Sequence, residues 1–214
     1  MRCQLDHFIV AVPDVRAASL AVADGLGIEP AFGGAHPDHG TCNALLSLGE
    51  GRYLEFIGPD PTATAPGPLA RRAASVDGAE VWGFAVALGD LESLARMAPS
   101  WGLQATAPFD GSRRTAQGEV LRWRLLSLSS PALGGLVPFA IDWLDTPHPS
   151  RTAPQGARLE SWHVAHPQPS AVETLYRGLG LEVSVQFGLR PAIVTVVSHG
   201  ARRLTLTGRS TSLY

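Results

Sequence analysis

The stretch Leu5-Asp6-His7-Phe8-Ile9-Val10-Ala11-Val12, closed some fifteen residues later by Gly25-Leu26-Gly27-Ile28-Glu29, decides the fold because the chain repeats it. The first segment is an apolar run rich in strand formers. Asp14 is placed to cap a helix over 15–26, which is Ala-rich and stopped by Gly25 and Gly27. The second copy begins Val81-Trp82-Gly83-Phe84-Ala85-Val86-Ala87-Leu88. Asp90 caps a helix over 91–100, and Trp101-Gly102-Leu103-Gln104 ends it. The third begins Leu159-Glu160-Ser161-Trp162-His163-Val164-Ala165. There Ser170 and Glu173 form a capping-box pattern opening a helix over 171–179, and Gly178-Leu179-Gly180-Leu181-Glu182 echoes the first signature. The interval from opening strand to glycine signature is similar each time: His7 to Gly27, Gly83 to Gly102, His163 to Gly180. Independent loops would seldom agree so closely.

Each helix is followed by three strand candidates. They lie at 29–32, 42–48 and 52–57, then at 105–109, 120–128 and 136–143, then at 181–187, 192–198 and 203–207. The chain therefore reads as α+β, built from three β-α-β-β-β units at 1–58, 80–145 and 158–214. A connector with a short helix at 69–74 occupies 59–79, and a Pro-, Ser- and Thr-rich linker occupies 146–157. One such unit leaves the concave face of its curved mixed sheet bare. Two facing units enclose a groove with the helices outside, and alternation aims first- and last-strand residues into it. Chain neighbours are usually space neighbours, so units one and two are expected to pair. The odd third unit then predicts a homodimer, in which it meets its own copy.

The composition excludes several chemistries. All 17 basic residues are Arg and none is Lys, which removes Schiff-base chemistry, a Ser–Lys dyad and the Lys of a phosphate-binding loop. The net charge of −2 gives no general attraction to nucleic acid or anionic membrane. Cys3 and Cys42 are not at metal-pair spacing and read as two reduced thiols. No window is long and apolar enough to span a bilayer, and 1–7 lacks a signal-peptide pattern, so a cytoplasmic location is expected.

Leu5-Asp6-His7, His36-Pro37-Asp38-His39-Gly40-Thr41-Cys42-Asn43-Ala44-Leu45, Tyr53-Leu54-Glu55 and Thr146-Pro147-His148-Pro149-Ser150 resemble the glyoxalase-like domain branch of the vicinal oxygen chelate superfamily. That superfamily includes glyoxalases, extradiol dioxygenases, epimerases and antibiotic-resistance proteins. The resemblance implies a divalent metal held from the first and fourth strands of two paired units. Carried over, it implies His7 and Glu55 from unit one. His163 follows if units one and three pair. If units one and two pair, Gly83 stands at the His position and Asp142 near the Glu position, so Asp142 takes the place of His163. Two imidazoles and a carboxylate suit Fe, Mn, Ni or Zn. A site without metal remains the alternative, with Glu55 as a general base.

Around this set, His36, His39 and Asn43 lie in a polar segment between two strands, expected to form a rim that contacts substrate. Trp143 is placed to stack on a planar ligand, and His148 to close over the groove. Arg122 and Arg124 share one strand face and read either as a solvated edge or as a contact to an anionic substrate. The expected function is a metal-assisted lyase, isomerase or dioxygenase acting on a small oxygen-rich molecule. The alternative is a protein of the same fold that sequesters a small molecule without chemistry.

Overall fold

The structure is a computed structural model that describes residues 2–114 and 118–209, with Arg114 and Arg209 described in backbone only. The first unit runs β1 (Gln4–Ala11), α1 (Val15–Leu26), β2 (Ala31–His36), β3 (Thr41–Gly49) and β4 (Arg52–Pro59), and α2 (Pro68–Ala74) follows. The second runs β5 (Glu80–Ala87), α3 (Leu91–Met97), β6 (Gln104–Ala105), β7 (Phe109–Arg114), β8 (Val120–Leu126), β9 (Leu128–Ser129) and β10 (Phe139–Asp142). The third runs β11 (Arg158–His166), α4 (Pro169–Leu179), β12 (Ser184–Phe187), β13 (Ala192–His199) and β14 (Arg202–Arg209).

Units one and two close into one barrel in the order β1-β4-β3-β2-β7-β8-β10-β5. The first strands seal one seam, with β1 parallel to β4 and antiparallel to β5. The opposite seam is the single pairing of Ala35 with Arg114. The repeated glycine signature has a backbone cause. Gly27, Gly102 and Gly180 each end a helix at φ near +75°, at 78°, 71° and 73°, a left-handed cap that Cβ-bearing residues disfavour. Asp14 and Asp90 cap α1 and α3 as expected, accepting from the Ala17 and Ser93 amides.

Strand alternation gives the barrel two surfaces. Phe8 and Val10 of β1 and Phe84 and Val86 of β5 point outward into the main core, whereas Ile9 and Ala85 belong to a second cluster inside. The third unit packs on the outer surface. Its four-stranded sheet, β12-β11-β13-β14, contributes Val164, Ile193, Val197 and Leu206 to the main core. Trp162 meets Phe8 and Phe84 edge-on, at ring separations of 5.3 and 5.1 Å. Beside it β14 lies so close to β5 that a Cβ on Gly208 would overlap the Val81 backbone. Two hydrogen bonds tie its end to α1: His199 Nδ1 donates to the Leu26 carbonyl at 3.1 Å, and Arg202 Nη1 to that of Asp24 at 2.9 Å. The face so covered carries Trp162, Val164, Ile193 and Val197 and also meets α4, whereas the opposite face, with His163, Val194 and Val196, is only partly buried.

Three local expectations are corrected. Helix α4 begins at Pro169, preset for the first helical position, so Gln168 is the cap and the Ser170–Glu173 box is not used. The strand expected at 105–109 is instead split, and β7 runs through the polar residues Phe109–Arg114. The segment 35–43 is a hairpin rather than one loop: His36 ends β2, 37–40 turn, and Asn43 lies buried in β3.

Candidate functional site

The barrel holds a cavity of about 130 Å³ that opens to solvent. Unit one supplies most of its polar wall, from His7 on β1, His36 on β2, Thr41 and Asn43 on β3, and Tyr53 and Glu55 on β4. Unit two supplies an apolar wall of Trp123, Leu125, Phe139 and Ile141, with Arg113 as its charged residue.

A bulge sets the centre of the polar wall. The register of β1 on β5 shifts between Leu5 and His7, which turns the consecutive side chains of Asp6 and His7 toward the same side. Both are buried. Asp6 Oδ1 lies 2.5 Å from His7 Nδ1. Its Oδ2 accepts from Trp143 Nε1 and from His148 Nε2, each at 3.0 Å. His148 is itself held by Ser150, whose amide donates to its Nδ1 at 3.2 Å, so Nε2 carries the hydrogen given to Asp6. Burial alone would raise the Asp6 carboxyl. The hydrogen bonds from His148 and His7 outweigh it and bring the pKa from 3.8 down to about 2.

With Nδ1 given to Asp6, His7 directs Nε2 at Glu55 Oε2, 3.5 Å away. Tyr53 stacks on the imidazole at 4.4 Å and fixes its plane. Burial pushes the Tyr53 hydroxyl well above its ordinary value, so it stays protonated. The other Glu55 oxygen accepts from Asn43 Nδ2 at 2.6 Å, and Asn43 Oδ1 accepts from Arg113 Nη1 at 3.1 Å. His36 lies beyond Asn43, 3.5 Å from its amide and 3.0 Å from Thr41 Oγ1, and burial lowers its pKa. The result is a continuous line: His148, Asp6, His7, Glu55, Asn43, Arg113.

Of the expected residues, the cavity brings together His7, Glu55, His36, His39, Asn43 and Trp143, and His148 reaches it through Asp6. His163 is not among them. It sits on β11, in the sheet outside the barrel, while His7 faces inward. Asp142 is also excluded, because Phe139, Ile141 and Trp143 take the inward positions and Asp142 accepts from the Leu144 amide instead. Alternation likewise places Trp123 inside and Arg124 outside, where Arg124 pairs with Glu92 at 2.6 Å. The cation of the cavity is Arg113. Neither cysteine serves here as a nucleophile: burial raises both thiols to about 11.

The donor set does not fit the metal centre that the fold implies. His7 Nε2 and Glu55 Oε2 are close enough to share an ion, and Asp6 behind His7 is a usual companion of a ligating imidazole. Unit two adds nothing to them. The register partner of His7 is Ala85, and the last strand presents Phe139 and Ile141. Among the described residues no three His, Cys, Asp or Glu side chains converge. Two protein donors fall short of the three or four of a resident transition-metal site.

The residues absent from the sequence reading are Asp6 as an anchor, Tyr53 as a stacking partner, Trp123 and Arg113. Asp6 depends on a bulge that composition does not signal. Arg113 had one indirect signal, Gly33, whose added Cβ would overlap both Asn43 Oδ1 and Arg113 Nη1.

A barrel closed from two β-α-β-β-β units around a carboxylate–imidazole pair defines a class of small-molecule site. The sequence model of the Glyoxalase-like domain family matches residues 5–180, and the chain belongs to that family. A hypothetical protein from Staphylococcus aureus is similar in structure, with TM-score 0.63 and 15% identity over 97% of this chain and 86% of that one. A variant methylmalonyl-CoA epimerase from Streptomyces coelicolor, in complex with 2-nitronate-propionyl-CoA, gives TM-score 0.50 and 18% identity over 70% of this chain and 100% of its own. The hypothetical protein BH1468 from Bacillus halodurans gives 0.52 and 17% over 69% and 99%. At these identities the likeness shows the fold alone. No sequence match is found among curated proteins. No described helix is long and apolar enough to cross a membrane.

Proposed function

We propose that the chain is a proton-transfer enzyme, a lyase or isomerase acting on a small oxygen-bearing molecule, with Glu55 as the general base. One observation carries the reading. Glu55 Oε2 faces His7 Nε2 at 3.5 Å while the other imidazole nitrogen is committed to Asp6 at 2.5 Å. The carboxylate and the imidazole nitrogen so placed lie within reach of one proton transfer.

The step follows from that geometry. Glu55 takes a proton from carbon beside a carbonyl, and the C–H electron pair moves onto the carbonyl oxygen as an enolate. The protonated Glu55 then donates to His7 Nε2, and Asp6 stabilises the imidazole as it accepts. Asn43, hydrogen-bonded to Glu55, fixes the carboxyl rotamer. Return of the proton to the enolate gives an isomer, and loss of a β-leaving group gives a lyase product. Extradiol dioxygenase chemistry needs a redox metal, and two protein donors fall short of a resident site for one.

The test is hydrogen exchange in D₂O, followed by proton NMR on a panel of carbonyl compounds of about six to eight non-hydrogen atoms, the size such a cavity holds. The wild type should exchange at least one of them, and Glu55→Gln should not. Exchange at equal rates in both would refute the assignment. The aromatic lining of Trp123, Phe139 and Trp143 favours a second reading, sequestration. It predicts saturable tryptophan quenching with the ligand recovered intact and unexchanged.

A further inference from the structure

We infer that Arg113 is the anion receptor of this cavity and that its ligand is a short-chain carboxylate. The inference deepens the proton-transfer reading by naming the substrate class.

Arg113 is 8% exposed and lines the cavity. Buried guanidinium groups are ordinarily paired with a carboxylate or phosphate. Among the described residues Arg113 forms no ion pair. The hydrogen bond it makes there goes to a neutral acceptor, Asn43 Oδ1. The two carboxylates of the site are committed elsewhere. Asp6 serves His7, Trp143 and His148, and Glu55 serves Asn43 and faces His7. A guanidinium has five N–H donors in a planar fork, so most of its hydrogen-bonding capacity remains for a ligand.

The shape of that ligand follows. A planar fork fits a carboxylate through two parallel hydrogen bonds. One cation balances one negative charge, which favours a monoanion over a phosphate dianion. Leu125, Phe139 and Ile141, which line the same cavity, suit a hydrocarbon remainder. A cavity near 130 Å³ that opens to solvent suits a small acid of about six to eight non-hydrogen atoms, a carboxylate with a few further carbons. Asn43 sets the spacing, binding Arg113 through its oxygen and Glu55 through its nitrogen. A carboxylate on Arg113 therefore leaves the adjoining carbon chain on the Glu55 side. The absence of a Cβ at Gly33 leaves room for the guanidinium in this position.

The experiment is calorimetric titration of the full chain with isobutyrate and with isobutyramide, a neutral near-isostere. Wild type should bind isobutyrate at least about tenfold more tightly, as expected for a paired buried charge. Arg113→Met should abolish that preference and leave isobutyramide binding unchanged. Arg113→Lys, which keeps the charge and loses the fork, should retain part of it. Glu55→Gln should bind isobutyrate as well as or better than wild type, since it removes a like charge. Equal binding of acid and amide by wild type, no binding of isobutyrate, or an undiminished preference in folded Arg113→Met would each overturn the inference. Failure of the catalytic reading looks different: isobutyrate binds through Arg113, yet Glu55→Gln alters no exchange reaction.

Discussion

His7 and His163 occupy matching places in the first strands of two copies of one unit, and the fold uses them differently. His7 faces into a closed barrel, pinned by Asp6 and Tyr53 beside a carboxylate. His163 lies on a sheet that packs on the outside of that barrel. The strands are alike because the same β-α-β-β-β unit needs an apolar opening strand. The sites differ because only units one and two close a cavity. Register therefore reports a common fold, and pairing decides which copy carries a site.

Substitutions test this contrast, and the largest effect belongs to Glu55. Glu55→Gln keeps size and hydrogen bonding but removes the base, and exchange should fall by about 10²–10⁴-fold with unchanged secondary structure by circular dichroism. His7→Ala should follow, with a loss of about 10²-fold, whereas His163→Ala should stay within twofold of wild type in the same assay. Equal losses in the two His variants would break the contrast outright.

Gly33→Ala comes next. Its methyl group displaces Arg113 and Asn43, so the preference for isobutyrate over isobutyramide should shrink about tenfold, with a modest fall in melting temperature. The Asp6 carboxylate adds a stability term with a defined sign. Its folded pKa, about 2, lies below the ordinary 3.8. The stabilisation is therefore complete above pH 4 and is lost as pH falls toward 2. Urea unfolding between pH 6 and pH 2.5 should show wild type losing roughly 2 kcal/mol more than Asp6→Asn over that window. Parallel pH profiles would contradict the network.

The fold was legible because its signals are local and repeated. The glycine signature recurs since each helix needs a left-handed cap, and the alternation of Phe8 and Ile9 reports two surfaces whichever partner covers them. His7, Glu55 and Asn43 were legible as polar residues inside apolar strands. Asp142 and His163 were misplaced for a different reason. The inward face of β10 belongs to Phe139 and Ile141, and the third unit leaves the groove altogether, facts of register and docking. Arg113 was hidden in Gly111-Ser112-Arg113, a stretch too polar to read as a strand until β8 pairs with it. The third unit's docking rests on Trp162 against Phe8 and Phe84.

The central claim is that the barrel is a proton-transfer site whose base is Glu55. Its most direct measurement is the rate of solvent deuterium incorporation into a small carbonyl compound by wild type and by Glu55→Gln, each first shown by calorimetry on separate samples to bind isobutyrate. The account predicts exchange in wild type and a loss of at least about 10²-fold in the variant, with carboxylate binding intact. Exchange at the wild-type rate in Glu55→Gln, or no exchange by wild type on any compound that binds, would contradict it.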